Sequence, residues 1–330
     1  MKTQNRKNGA TNKSGLSLAK LMQQGHLLAL VALSLVACQN KPNALNEALA
    51  KGEVISLDTT DDATQNNGII GGVPVAAGDT ILSSTVGLYD SFSKQAFCTG
   101  TLLTKNIVVT AAHCLAGSSP SKILVGFGKD VSPKKVQFRK VDGGRINSTF
   151  LQLTKAQAND PRSANWGDLG VIRFVGTVPA GFAPAMILNN SAELKNGQNV
   201  TLAGFGYTDG LRELLPTNLM KTTVQIKDAK FSATEVEIAP SAGHGACHGD
   251  SGGPAFVNIN GRDVVFGATS RTATMSGAVS CLEGSIYTVL AAHLDWLKES
   301  IKILNPTSSN GTSNNVSSPA PVPTSVVSLN

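Results

Sequence analysis

Gly249-Asp250-Ser251-Gly252-Gly253-Pro254 holds a single serine among glycines, in a segment of turn formers that reads as a tight loop. A serine hydroxyl is a weak nucleophile at neutral pH, so acyl transfer needs a base beside it and a third group that fixes the base's tautomer. Working outward, the candidate base is His113, in Thr110-Ala111-Ala112-His113-Cys114. Ile107-Val108-Val109 precedes it and reads as a strand that delivers the histidine to a turn. The candidate acid is Asp168, in Asp168-Leu169-Gly170-Val171-Ile172, at the mouth of a buried strand. An aspartate ahead of an apolar run usually only caps a turn, and Ala-Ala-His-Cys is moderately specific. Gly-Asp-Ser-Gly-Gly-Pro is highly specific, and the three segments fall in the order His, Asp, Ser with separations of 55 and 83 residues.

That order and those segments resemble the trypsin/chymotrypsin family of serine proteases, from Ile69 to about Leu304. The resemblance implies an all-β fold of two antiparallel β-barrels with the triad in the cleft between them. Barrel one would span about 69–185, barrel two about 186–288, and a C-terminal helix about 289–304. It also implies a serine endopeptidase acting on polypeptides through an acyl-enzyme, with Ser251 as nucleophile, His113 as base and Asp168 as orienting acid. The backbone N–H groups of Gly249 and Ser251 would form the oxyanion hole. No cofactor and no metal are implied. Of the three pairings that four cysteines allow, the family pattern selects Cys98–Cys114 and Cys247–Cys281.

Ile69-Ile70-Gly71-Gly72 resembles the mature N-terminus of this family. Cleavage of Gly68–Ile69 would turn a zymogen into enzyme by freeing an ammonium that pairs with Asp250; an uncut peptide nitrogen carries no charge to offer a buried carboxylate. The plainer alternative is a Gly-Gly turn after two apolar residues. Gly68 stands where zymogens of the family often carry Arg or Lys, so the expected activator is a protease without trypsin-like specificity, or the enzyme itself.

For the substrate pocket, Gly245 is expected at the floor, two residues before Cys247, and Ser270, Thr272 and Ser285 on the walls. The missing floor Asp argues against cleavage after Arg or Lys. Side chains at Thr272 and Ser285 would narrow the pocket and favour small aliphatic residues, with a chymotrypsin-like preference second. Arg271 stands where the family usually has Trp; a solvated surface arginine is expected there, with attraction of acidic substrate residues as the lesser alternative. Gly170 departs from the family's usual Ala. His244 and His248 flank Cys247 at a spacing that could suggest metal, but a disulfide removes the thiolate, and His248 is expected to line the cleft.

The N-terminal segment reads as an address. Residues 1–25 carry Lys2, Arg6, Lys7, Lys13 and Lys20 without an acid, followed by the apolar run Leu27 to Ala37 and then Cys38. This reads as an export signal, with an apolar run too short for a membrane span of roughly 20 residues. Leu35-Val36-Ala37-Cys38 resembles the lipobox of bacterial lipoproteins. An ordinary signal peptide also fits the run, but position, spacing and the odd fifth cysteine favour lipidation of Cys38. The expected organisation is a signal peptide over 1–37, a lipid-anchored tether and propeptide over 38–68, the protease domain over 69–304, and a disordered tail rich in Ser, Thr, Asn and Pro over 305–330. Gln39 rather than Asp after the cysteine implies, by resemblance to Gram-negative lipoproteins, the outer membrane or cell surface, and release on activation is expected because the Cys38 anchor precedes the cut.

The bulk numbers agree with a globular β protein. Hydrophobic residues make up 41% and charged residues 15%, with 33 Gly and 14 Pro, a balance suited to strands, turns and a sizeable core. The +6 charge is dispersed, with no basic run longer than pairs such as Lys134-Lys135, which argues against a nucleic-acid partner. Lys122–Phe127, Val200–Gly206, Lys221–Ile226 and Asp263–Ser270 read as short strands. Leu294, Leu297 and Ile301 fall at helical spacing. A catalytically dead binding module and a narrow esterase are the rival functions; the complete His, Asp, Ser set argues against the first.

Overall fold

The computed structural model describes residues 69–209, 211, 213–239, 243–274, 281–306 and 325–329. The expected signal peptide, Cys38 and the tether up to Gly68 lie outside these residues, as does most of the tail. After the two-residue strand β1 (Val73–Pro74) and the short helix α1 (Thr80–Ser84) come six strands: β2 (Thr85–Asp90), β3 (Ala96–Leu102), β4 (Ile107–Thr110), β5 (Ile123–Phe127), β6 (Gln137–Ile146) and β7 (Gly170–Phe174). They pair antiparallel in the closed order β2-β3-β4-β7-β6-β5. β4 and β5 are buried along their whole length, which is why Ile107-Val108-Val109 and Ile123-Leu124-Val125 are unbroken apolar runs. Phe127 meets Phe174 and Phe182 edge-on at 5.4 and 5.1 Å in the barrel's core.

The connection from β6 to β7 carries the short helices α2 (Ser148–Leu151) and α3 (Lys155–Ala158) and then the loop that ends at Asp168. The second half contains β8 (Ile187–Leu188), β9 (Asn199–Gly204), β10 (Met220–Asp228), β11 (Glu235–Ile238), β12 (Pro254–Ile259), β13 (Arg262–Thr272) and β14 (Ser285–Val289). Strands β12-β9-β10-β11-β14-β13 form a second ring, closed by pairing of β12 with β13. β10 shows the expected alternation, with Met220, Thr222, Val224 and Ile226 buried and Thr223 and Gln225 exposed. β1 adds to β10, and β8 lies parallel to β13.

Helix α4 (Leu294–Leu304) follows a single 3₁₀ turn, Leu290–His293, and buries Leu297, Ser300 and Leu304. His293 therefore stands ahead of the helix, at its N-cap. The Arg173 guanidinium of β7 donates to the Leu304 carbonyl, tying the helix end to barrel one. The expectation of a disordered tail over 305–330 does not hold for its last part. Val326–Val327 form β15, antiparallel to β8, with Val326 buried and Val327 and Leu329 packed on the core. Ser, Thr, Asn and Pro dominate the composition of the tail, but these three apolar residues supply enough surface to dock a strand.

Candidate active site

β4 ends at Thr110, and Ala111 and Ala112 are fully buried, so the chain can leave the barrel only at His113. Asp168 lies two residues ahead of Gly170, where the β7 strand that pairs with β4 begins, which brings the two residues together. His113 Nδ1 lies 2.8 Å from Asp168 Oδ2, and the His113 backbone N–H donates to Asp168 Oδ1 at 3.0 Å. The Ser270 hydroxyl donates to Asp168 Oδ2 at 2.7 Å. The Asp168 side chain is 1% exposed and that of His113 36%, so the acid is sealed while the ring reaches the cleft. Burial alone would lower the imidazole's pKa; the hydrogen bond to Asp168 and its charge together outweigh this and raise it above the ordinary value.

Ser251 lies on the Cys247–Gly253 turn, closed by Asp250 N–H to Cys247 O and Gly253 N–H to Asp250 O. The turn is pinned to barrel one: Thr99 N–H donates to Ser251 O at 2.9 Å, and Cys114 Sγ lies 3.7 Å from the same oxygen. A Cβ on Gly252, at φ +77°, would fall 2.0 Å from Thr110 Oγ1, so only glycine lets the turn approach the strand that leads to His113. Gly249 adopts φ +95°, and its Cβ would meet Gly206 Cα at 2.8 Å. Ser251 Oγ has no hydrogen bond to another described residue; in sites of this kind the contact to the base often tightens only when substrate binds.

Both disulfides are present, Cys98–Cys114 and Cys247–Cys281. Cys98, His113 and Cys114 cluster as metal ligands might, but the disulfide occupies both sulfurs. His244 Nδ1 contacts Thr222 Oγ1 at 3.1 Å.

A cavity of about 230 Å³ opens beside Ser251, lined among others by Ser270, Arg271, Thr272, Ser285 and His248. No carboxylate lines it among the described residues. Gly245 is buried outside that lining, with its N–H bonded to Ile70 O at 3.1 Å. Ile69 is fully buried in the core of barrel two. Asp250 is buried too, held among the described residues by N–H donors from Gly206 and Cys247 at 2.8 Å each. Burial pushes its pKa up to about 7, against the opposing pull of the two backbone donors.

Arg271 is neither a solvated arginine nor a free attractor of acidic substrate residues. Its side chain is 7% exposed and pairs with Glu235, which is fully buried. Nη1 donates to Glu235 Oε1 at 2.7 Å and Nη2 to Oε2 at 3.2 Å, while Nε donates to Pro161 O and Nη2 to Ser163 O. The guanidinium also stacks 4.2 Å from the Trp166 ring. The sequence reading missed Glu235 and Trp166, and also Thr99, whose hydroxyl donates to Gly249 O at 2.9 Å and accepts from Phe205 N–H. Two acids alternating in an otherwise apolar strand, Glu235-Val236-Glu237-Ile238, were the available signal for a buried cation partner.

Two closed barrels meeting at a cleft that holds a buried aspartate, a half-exposed histidine and a turn-borne serine define a serine endopeptidase, with polypeptides as substrates. The family model described as Trypsin matches residues 69–297. The chain is 28% identical over 218 residues to the fibrinolytic enzyme, isozyme C, of Lumbricus rubellus, covering 61% of this chain and 86% of that one. Similarity extends to chymotrypsin-2 of Vespa crabro, at 29% identity with 62% and 88% covered. It also extends to chymotrypsin-like elastase family member 1 of Felis catus, at 24% with 62% and 78% covered. The chain belongs to the trypsin family.

Proposed function

We propose that the chain is an exported serine endopeptidase made as a zymogen, with Ser251, His113 and Asp168 as its triad. The observation that carries this reading is the buried Asp168 carboxylate holding both the ring and the backbone of His113, at 2.8 and 3.0 Å, beside a cavity that contains Ser251. Ser251 Oγ attacks the peptide carbonyl as its proton passes to His113 Nε2. Asp168 keeps the other ring nitrogen protonated and stabilises the imidazolium. The imidazolium then protonates the leaving amine, and a water activated by the same ring hydrolyses the acyl-enzyme. The N–H groups of Gly249 and Ser251 receive the developing oxyanion, a contribution of about 3 kcal/mol per donor.

Activation follows from Asp250. Among the described residues its buried carboxylate has two backbone donors and no cation as hydrogen-bond partners, and Ile70 is bridged to Gly245 on the same loop. Cutting Gly68–Ile69 creates an ammonium at the buried Ile69 that supplies the missing charge, ordering the Gly249 N–H. Thr272 and Ser285 on the cavity wall, and the lack of any carboxylate in its lining among the described residues, support cleavage after small aliphatic residues rather than Arg or Lys. The two disulfides support an oxidising compartment. Lipidation at Cys38 holds the zymogen at a membrane surface, and the activating cut releases it.

The test is a peptide library exposed to protein that begins at Ile69, with fluorophosphonate labelling of Ser251 in parallel. Cleavage after Ala or Val with labelling is the expected result. Cleavage after Arg or Lys would overturn the pocket assignment. Labelling of Ser251 without peptide hydrolysis would favour an esterase, and neither would favour a binding module.

A further inference from the structure

Asp168 belongs to barrel one, yet the loop that delivers it is gripped by barrel two. Glu235 on β11 accepts the backbone N–H groups of Asn165 and Trp166 at 2.7 and 3.2 Å. Arg271 on β13 completes the grip through the Pro161 and Ser163 carbonyls, at 3.0 and 2.7 Å. Its fifth donor contact runs from Nη1 to Ser270 Oγ at 3.3 Å. With that lone pair engaged, the Ser270 hydroxyl is left to donate toward Asp168, as its 2.7 Å bond requires. A continuous line of contacts therefore joins Glu235, Arg271, Ser270, Asp168 and His113.

We infer that Arg271 is a positioning residue for the reaction: by clamping the 161–166 loop against Glu235 and orienting Ser270, it sets the place of Asp168 and so of His113. This rests on the triad reading above. A lysine could not do the same work, because a single ammonium cannot present a planar fork to a carboxylate while reaching two carbonyls and stacking on Trp166. Nor does the charge serve substrate recognition, since Glu235 neutralises it within the fold. The charged groups along this line are His113, Asp168, Arg271 and Glu235, with His293 in electrostatic range of Glu235.

The experiment compares protein beginning at Ile69 with two variants. Arg271→Met/Glu235→Gln removes both charges together and strands neither; Arg271→Lys keeps the charge without the fork, and carries the test if the double variant does not fold. For each, kcat, KM and the pH profile of kcat/KM are measured on a short peptide substrate. Both variants are expected to lose about 10- to 100-fold in kcat, with little change in KM and an acid limb moved to lower pH, because Asp168 holds His113 less firmly. Wild-type kcat and an unmoved acid limb in either variant, whatever its melting temperature, would overturn the assignment and leave the clamp purely structural. Wild-type protein beginning at Ile69 that neither cleaves peptides nor labels at Ser251 would overturn the triad reading, and this inference with it.

Discussion

Barrel one delivers its two groups from strand ends: His113 follows β4, Asp168 precedes β7, and those strands pair directly. Barrel two delivers Ser251 on a turn built from glycines at positive φ, above a buried carboxylate whose bonds are to backbone N–H groups. The first arrangement needs nothing beyond the fold, because His113 and Asp168 satisfy each other. In the second, Asp250 accepts only backbone N–H groups among the described residues, so under the proposed activation the nucleophile's half of the cleft waits on a charge that the base's half does not need.

The comparison breaks most visibly at Asp168. Asp168→Asn should cut kcat by about 10⁴-fold in protein beginning at Ile69. It should also move the acid limb of kcat/KM to lower pH. In the wild type Asp168 raises the His113 pKa, so activity is lost with acid already above the ordinary imidazole value. Next in size is Gly249→Ala. The added Cβ would strain a +95° φ and press on Gly206, turning one oxyanion donor away, for an expected loss of about 10²-fold in kcat. Peptide hydrolysis kinetics check both.

A third prediction concerns the uncut chain. Asp250 moves from 3.8 to about 7 on burial, so the folded state binds the extra proton between those values. The contribution of this group to stability is then fully present below 3.8 and is lost as pH rises toward 7. Melting temperatures across that range should decline more in the uncut wild type than in uncut Asp250→Asn. The smallest effect is expected from Thr99→Val, which strands Gly249 O and the Phe205 N–H at a cost of about 1–3 kcal/mol, read by denaturant unfolding.

The strands and the terminal helix could be foreseen because each leaves a local mark: apolar runs in β4 and β5, alternation in β10, helical spacing in α4; the cysteine pairings came from the family resemblance alone. The meeting of His113 and Asp168 was foreseeable from motif order. Arg271 was misjudged for a physical reason. A lone arginine carries no sign of burial in its neighbours when its partners, Glu235 and the 161–166 loop, come from distant parts of the chain. The tail erred the other way, since composition averaged over 305–330 hides the three apolar residues that dock at Val326, Val327 and Leu329.

The contrast between the halves is tested most directly by following both in one pair of samples, the chain from Gln39 left uncut and the protein beginning at Ile69. His113 is titrated by NMR in each, and Ser251 labelling by a fluorophosphonate is timed in each. The expected result is a His113 titration that is the same in both and labelling that is fast only after the cut. Equal labelling rates before and after cleavage would contradict a conditional nucleophile, and a His113 titration that changes with the cut would contradict a base half complete in the fold.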